Sequence, residues 1–408
     1  MSRRWDEPEF RRDLDRLLRH ARKTAKRGPA MFTGPELPES RLFRTSRGRS
    51  PFGIEGDALP LLRSLQRRIV GPSRAKYGMS TDEARALLME CCSGAVEGTI
   101  KGAVAMLFET LESDPVKMTV AETTGAIFLT PKLKVARTVY WKHVPRWLAT
   151  KRQLETFAPA ERFRAPICVT EVTCRGFSSA LVLARHRFAE SGAILDLAAP
   201  PEHLGSDSYW VSAGPRRGGF VYRHPGWVLQ AALVKGERLV PPFLQLSRAA
   251  AKDEGQRSEW ERRLLAATHW YSRAYRNEWP AHRLSNAMAA LECVWIPTNQ
   301  TGNLGPTIAK RLSERSILLH EFSRKQQQKW LGALYEGRKK AVHEGWEYVD
   351  DIDVDRLLEL TSYVIRGMSV HLIPDHRTSR RSCRTFDEAM GCSLPPTAYA
   401  PRRRRAAD

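Results

Sequence analysis

Apolar residues recur at helical spacing near both ends of the chain, and with a shorter, strand-like alternation between them. Leu14, Leu17, Leu18 and Ala21 predict an amphipathic helix over Phe10–Lys26. Gly28-Pro29, Gly34-Pro35 and Leu37-Pro38 then punctuate a loop, and the polar run Arg41–Ser50 reads as mobile. Ser80-Thr-Asp-Glu83 is a capping box ahead of Ala84, Leu87 and Leu88, so a helix starts there. A second helix is expected over Ala95–Leu111, weakened by Gly98 and Gly102. Short strands are expected at Met118–Val120, Ala126–Leu129 and Val139–Trp141, with a clearer one at Ile167–Val172. Ala180–Arg187 fits helix or strand. Tyr209–Ser212, Gly219–Tyr222 and Val228–Val234 complete a mixed α/β region closed by Pro241-Pro242.

From Ser258 onward the period is helical throughout. Trp260, Leu264, Thr268, Tyr271 and Tyr275 mark one stripe, and Leu284, Met288, Leu291 and Trp295 a second. A third helix is expected over Thr307–His320. A fourth carries Trp330, Leu331, Leu334, Arg338 and Val342, with Gly345 as its stop. A fifth runs from Val354 to Leu372 and is entered through Asp350, Asp351 and Asp353, which complement a helix N-terminus. The fold class expected is therefore multidomain: a mixed α/β N-terminal region followed by an all-α helical bundle. The expected boundaries are 1–79 (basic helix and flexible linker), 80–250 (mixed α/β), 256–373 (bundle) and 374–408 (basic, disordered tail).

Composition narrows the partners. The formal net charge is +21 over 408 residues, a balance that favours polyanions because each phosphate neutralised releases a counterion. The same excess follows from a GC-rich genome, so charge alone does not name a nucleic acid. No apolar run is long enough to span a membrane, and the charged N-terminus lacks a signal-peptide core, so a cytoplasmic protein is expected. Seven scattered cysteines without CxxC spacing indicate neither a zinc site nor a disulfide framework, and no metal or cofactor is expected. GxxxxGK[ST], GxSxG and HExxH are all missing, which argues against the corresponding nucleotide-binding, hydrolase and zincin classes. Arg185-His-Arg187 and Arg216-Arg-Gly-Gly219 are short basic clusters. The aromatics flanking the second suit base stacking or ordinary cross-strand packing.

The chemistry-bearing stretch is Leu334-Tyr-Glu-Gly-Arg338-Lys-Lys-Ala-Val-His343-Glu-Gly345. Arg338 falls on the apolar side of its helix, where a permanent charge needs a partner or a task. Metal-free RNA cleavage requires a proton carrier for the ribose 2′-OH and the leaving 5′-oxygen, and a cation for the phosphorane. Histidine and arginine are the natural pair for those roles. The spacing is weak by itself, since Arg315/His320 and Arg366/His371 repeat it inside apolar stretches. Glu292, one turn from Met288 on the second stripe, either faces Arg338 across the bundle and orients it or lies exposed at the stripe's edge.

The bundle resembles a HEPN domain, and in particular the ApeA-like branch. The resemblance rests on His269-Trp-Tyr271, Ala290-Leu-Glu292 and Tyr335-x-x-Arg338-x4-His343-x-Gly345, in matching order over about 115 residues. It implies a homodimer in which two such motifs face one cleft. It also implies a metal-independent endoribonuclease of a defence or toxin type, the ApeA-like branch being tied to abortive anti-phage defence. In that scheme Arg338 is the phosphate clamp and His343 the acid/base. Glu292 and Tyr335 support them, with RNA as the partner and no membrane involved. Lys339, followed by Lys340, departs from the small polar residue usual after the family's arginine. A cation there binds phosphate and also depresses the pKa of His343 by like-charge repulsion. The alternatives are a catalytically inactive HEPN module for dimerisation or RNA binding, and a DNA-associated regulator resting on charge alone.

Overall fold

The computed structural model describes residues 8–27, 41–43, 52–54, 56–70, 79–123, 131–143, 145, 167–175, 177–198, 234–235, 237–277, 279–297, 304–314, 322–343, 349–372 and 383–391. They are mostly helical with a small mixed sheet. The chain falls into two compact units. The first comprises Met1–Glu122, Thr170–His186 and Trp210–Tyr222; the second comprises Thr123–Val169, Arg187–Tyr209 and Arg223–Asp408.

In the first unit the N-terminal stripe needs a partner and finds three. Helix α1 (Pro8–Arg27) buries Phe10, Leu14, Leu17, Leu18 and Ala21 completely, against α2 (Ala58–Val70), α3 (Thr81–Glu97) and α4 (Ile100–Glu112). Phe10 meets Phe108 edge to face. A two-stranded antiparallel sheet of β1 (Arg41–Phe43) and β2 (Phe52–Ile54) adds Phe52 and Ile54 to the core. Thr24 fastens that sheet to α1, its hydroxyl donating to Gly53 O at 3.0 Å and accepting from Gly53 N at 3.2 Å. The core therefore crosses residue 79, where the pattern alone sets a domain boundary, and residues 41–43 are a strand rather than part of a mobile run. The capping box at Ser80 and Glu83 is present, and the helix it starts ends at Gly98. Thr99 then caps α4 by accepting from Gly102 N, so the second expected helix begins at Ile100 rather than Ala95, and Gly98 separates it from the first. Beyond α4, β3 (Val116–Thr123) lies beside the later residues of β6 (Ile167–Cys174), with Lys117 and Glu171 ion-paired at 2.7 Å.

In the second unit Ile167–Val169 of β6 is followed across the sheet by β5 (Thr138–Trp141), β4 (Lys132–Val135), β8 (Arg238–Leu239) and β7 (Val234–Lys235). Strands β4 and β5 form an antiparallel hairpin through Ala136, whose φ of 53° is held by its N–H donating to Ser247 Oγ at 2.6 Å. Strand β8 runs parallel to β4 and antiparallel to β7. Helix α5 (Phe177–Ala198) settles Ala180–Arg187 as helix; α6 (Phe243–Ala251) follows β8.

The five bundle helices are α7 (Glu259–Arg276), α8 (Pro280–Trp295), α9 (Leu304–Glu314), α10 (Arg324–His343) and α11 (Asp351–Ser369). Helix α8 is the hub, packing on α7, α9, α10 and α11. The local signals are conventional: a capping box at Ser258 and Glu261, Pro280 in the first turn of α8, and the Asp350 carboxylate accepting from Ile352 N. Helix α9 begins at Leu304, ahead of the expected Thr307, because Pro306 is tolerated in a first turn.

Residues 383–391 differ from the disordered tail that composition predicts. Helix α12 (Phe386–Gly391) follows a segment whose Cys383 N–H donates to His371 O, and Phe386 is buried edge to face with Trp260. One aromatic among charged residues carries too little periodicity to register, yet it fills a bundle groove. The strands expected at Ala126–Leu129, Tyr209–Ser212 and Gly219–Tyr222, most of Val228–Val234, the Arg216 cluster, Arg315, His320 and Gly345 lie outside the described residues. No helix among the described residues is long and apolar enough to cross a membrane.

Candidate functional site

Helix α10 is a mixed-face helix: Leu331 and Leu334 are buried while Lys339 and Lys340 are exposed. Its N-terminal half is fixed by Trp330, whose indole N–H donates to Asp353 Oδ1 at 2.9 Å in the first turn of α11. Arg283 of α8 reaches the same turn, pairing with Asp355 at 2.5 Å and Asp351 at 3.5 Å. The acidic entry to α11 thus ties α8 and α10 together as well as complementing a helix dipole.

One turn further along α10, Tyr335 and Arg338 converge on Glu292 of α8. The Tyr335 hydroxyl donates to Glu292 Oε1 at 2.7 Å, and Arg338 Nη1 is ion-paired with the same oxygen. Arg338 Nη1 also donates to the Tyr335 hydroxyl at 3.3 Å, and its guanidinium lies 5.5 Å from the Tyr335 ring centroid. Glu292 is therefore turned inward toward Arg338 rather than standing at an exposed stripe edge. The arginine is held through one nitrogen. Its Nε and Nη2 have no hydrogen-bond partner among the described residues, and a quarter of the side chain remains exposed (25%). Burial first, and then the hydrogen bond and negative charge of Glu292, push the Tyr335 phenol up to about 12. It is a proton donor to the carboxylate at every ordinary pH.

Two supports outside the motif set this geometry. At Gly305 of α9 a Cβ would stand 2.9 Å from Tyr335 Cβ and Cγ, so the ring seats against bare backbone there. Any larger residue would push α10 away. The second support is at the end of α8, one turn past Glu292. Arg263 Nε donates to Cys293 O at 2.9 Å, Arg263 Nη2 bonds Ile296 O, and Arg311 Nη1 bonds Trp295 O. Two guanidinium groups therefore satisfy carbonyls that a helix end leaves open. They also bracket the Phe386 ring, at 4.3 and 5.4 Å from its centroid. Gly305 carries no sequence signal beyond its type. Arg263, Arg311 and Phe386 belong to three distant segments that only packing unites.

His343 is the last residue of α10, and its side chain lies outside those described. Because the helix continues to His343, positions 338 and 343 stand about 140° apart around the axis and about 7.5 Å along it. The two positions do not share a helix face. Of the other motifs with this spacing, Arg366/His371 is occupied by packing. Arg366 Nη2 donates to Leu197 O at 2.9 Å, burial lowers its pKa, and the His371 carbonyl accepts from Cys383.

A second carboxylate–arginine set escaped sequence reading altogether. Asp196 near the end of α5 is fully buried, accepts from Ser272 Oγ at 2.5 Å, and takes Arg276 Nε at 2.7 Å and Nη2 at 2.9 Å. Its only signal is a lone carboxylate inside Ala193-Ile-Leu-Asp196-Leu-Ala198.

No protein-family model, curated protein or solved structure matches the chain.

Proposed function

We propose that the protein is an RNA-acting HEPN-type endoribonuclease of a defence or toxin kind, working in the cytoplasm as a homodimer through its helical bundle. In this reading a histidine takes the proton from a ribose 2′-OH. The 2′-oxygen attacks the adjacent phosphorus, Arg338 stabilises the phosphorane through its open edge, and the P–O5′ bond breaks as an imidazolium gives its proton to the departing 5′-oxygen. The products are a 2′,3′-cyclic phosphate and a 5′-hydroxyl end. The observation that carries it is the mounting of Arg338: one nitrogen fixed by Glu292 and Tyr335, the opposite edge without a partner among the described residues. An oriented guanidinium is worth more to an oxyanion than a free one, because no ordering is left to be done at reaction. The separation of positions 338 and 343 around α10 is why the reading needs two chains, each completing the other's site.

A second reading is favoured by the same ion pair. Glu292 neutralises part of the charge that a phosphate would see, as in a silent module whose Arg338 merely joins α8 to α10. Incubating purified protein with total RNA in EDTA, beside Arg338→Ala and His343→Ala, separates the two. Cleavage leaving cyclic phosphate ends, reduced at least about a hundredfold in both variants at unchanged thermal midpoint, is the expected result. No cleavage by the parent, with Arg338→Ala destabilised, would establish the silent module.

A further inference from the structure

The exposed side of α1 carries a row of cations. Arg12, Arg16, Arg19 and Lys23 are all exposed and follow at intervals of four, three and four residues. At 100° per residue they fall within about 60° of one another, one per turn, over about 16 Å of helix. The buried stripe of Phe10, Leu14, Leu17, Leu18 and Ala21 lies on the opposite side. Acidic groups border the row, but each has a partner. Arg68 of α2 reaches Glu9 at 3.7 Å and Asp13 at 3.5 Å, and Asp15 is taken by Arg19 at 2.7 Å. Arg12, Arg16 and Lys23 have no hydrogen bond or ion pair among the described residues.

We infer that this face of α1 is a docking surface for a nucleic-acid phosphodiester backbone, separate from Arg338 and independent of how that site is read. Each alternative occupant lacks something the row would need. An amphipathic helix binds a membrane by inserting its apolar face. Here that face is the core of the unit and is not available. A protein partner of ordinary composition docks through aromatic and apolar anchors within a mixed-charge rim. The row contains only cations. Regularly spaced charges of one sign on a rigid helix fit a regularly spaced polyanion, and contacts of this kind hold the strand without reading its bases. Because the helix is packed on three others, the row is pre-ordered, and little side-chain or backbone freedom is lost on binding beyond the cations' own rotamers.

The test uses full-length His343→Ala protein, so that cleavage does not consume the probe, and compares it with the same protein carrying Arg12→Gln, Arg16→Gln and Lys23→Gln. Fluorescence anisotropy with poly(U) and with poly(dT) is recorded over a KCl titration. Three lost single-strand phosphate contacts lower the slope of log K against log[salt] by about 2 and weaken binding about tenfold or more at physiological salt. The thermal midpoint stays where it was, since all three side chains are solvated. Loss with both polymers makes the ligand the shared phosphate backbone; loss with poly(U) alone narrows it to RNA. An unchanged slope with both polymers overturns the proposal. So does a triple variant that loses binding to phosphatidylserine vesicles while its nucleic-acid slope is intact. Arg338→Ala in the same titration keeps the two ideas apart, because the α1 row predicts a slope change that does not depend on Arg338.

Discussion

Two carboxylate–arginine pairs in the second unit use the same chemistry to opposite ends. Asp196 is wholly enclosed and grips two nitrogens of Arg276 side-on, with Ser272 adding a third bond. Glu292 is partly exposed and holds Arg338 end-on through one nitrogen, sharing its oxygen with Tyr335. The first arrangement satisfies the arginine edge that faces it with two bonds to a buried carboxylate. The second leaves Nε and Nη2 of a partly exposed arginine without a partner among the described residues. A buried, saturated pair is a structural joint, because removing either member strands the other in a medium that cannot solvate it. A half-open pair is cheap to break and has something left to offer. Saturation, more than the presence of charge, separates the two.

The comparison can be broken in descending steps. Asp196→Ala is expected to cost about 3–5 kcal/mol in urea unfolding, toward the lower figure because Arg276 keeps 25% of its side chain in solvent. A loss below half of that would mean that the pair is not a joint. Gly305→Ala comes next, at about 1–3 kcal/mol, because the new methyl must displace the Tyr335 backbone side of the ring or α10 itself. It should also depress RNA cleavage more than its stability cost explains, and equal effects on both would deny Tyr335 a positioning role. Glu292→Gln should cost less than about 1 kcal/mol, as expected for a partly solvated pair, while changing cleavage through the orientation of Arg338. A stability loss matching that of Asp196→Ala would erase the distinction drawn here.

The smallest effect is spectroscopic. The Tyr335 phenol, with a folded value of about 12 against an ordinary 10, favours the folded state fully below pH 10. That contribution is lost as pH rises from about 10 to about 12. In Glu292→Gln the phenolate band of this residue should move to lower pH, with burial still holding it above the ordinary value. No movement would show that burial alone sets the shift.

The bundle was legible because each of its helices buries one face, and burying one face imposes a 3.6-residue period with caps at the ends. Trp260, Leu264, Tyr271, Leu284, Met288 and Leu291 all lie inside as that period requires. Glu292 could be proposed opposite Arg338 because both depart from a stripe that is otherwise apolar. The first unit was less readable. The stripe of α1 was plain, but nothing in residues 8–27 states that its partners are α2, α3 and α4. Short strands such as β1 and β2 carry no period at all over three residues. The break at Gly98 was signalled by residue type, yet whether two glycines bend, end or merely weaken a helix depends on what packs beside them.

Alone, the order of residues determined the helical stripes, the capping boxes at Ser80 and Ser258, the basic charge and the stretch around Arg338. These are local matters, decided by neighbours within a turn or two. Tertiary structure decided which charges are joints and which are open. It brought Asp196 to Ser272 and Arg276, Gly305 to Tyr335, and Phe386 between Arg263 and Arg311, across separations that no periodicity spans. The reason is physical: a side chain's environment is set by whatever the folded chain brings within a few ångströms, and burial, not spacing, fixes what a charge is worth.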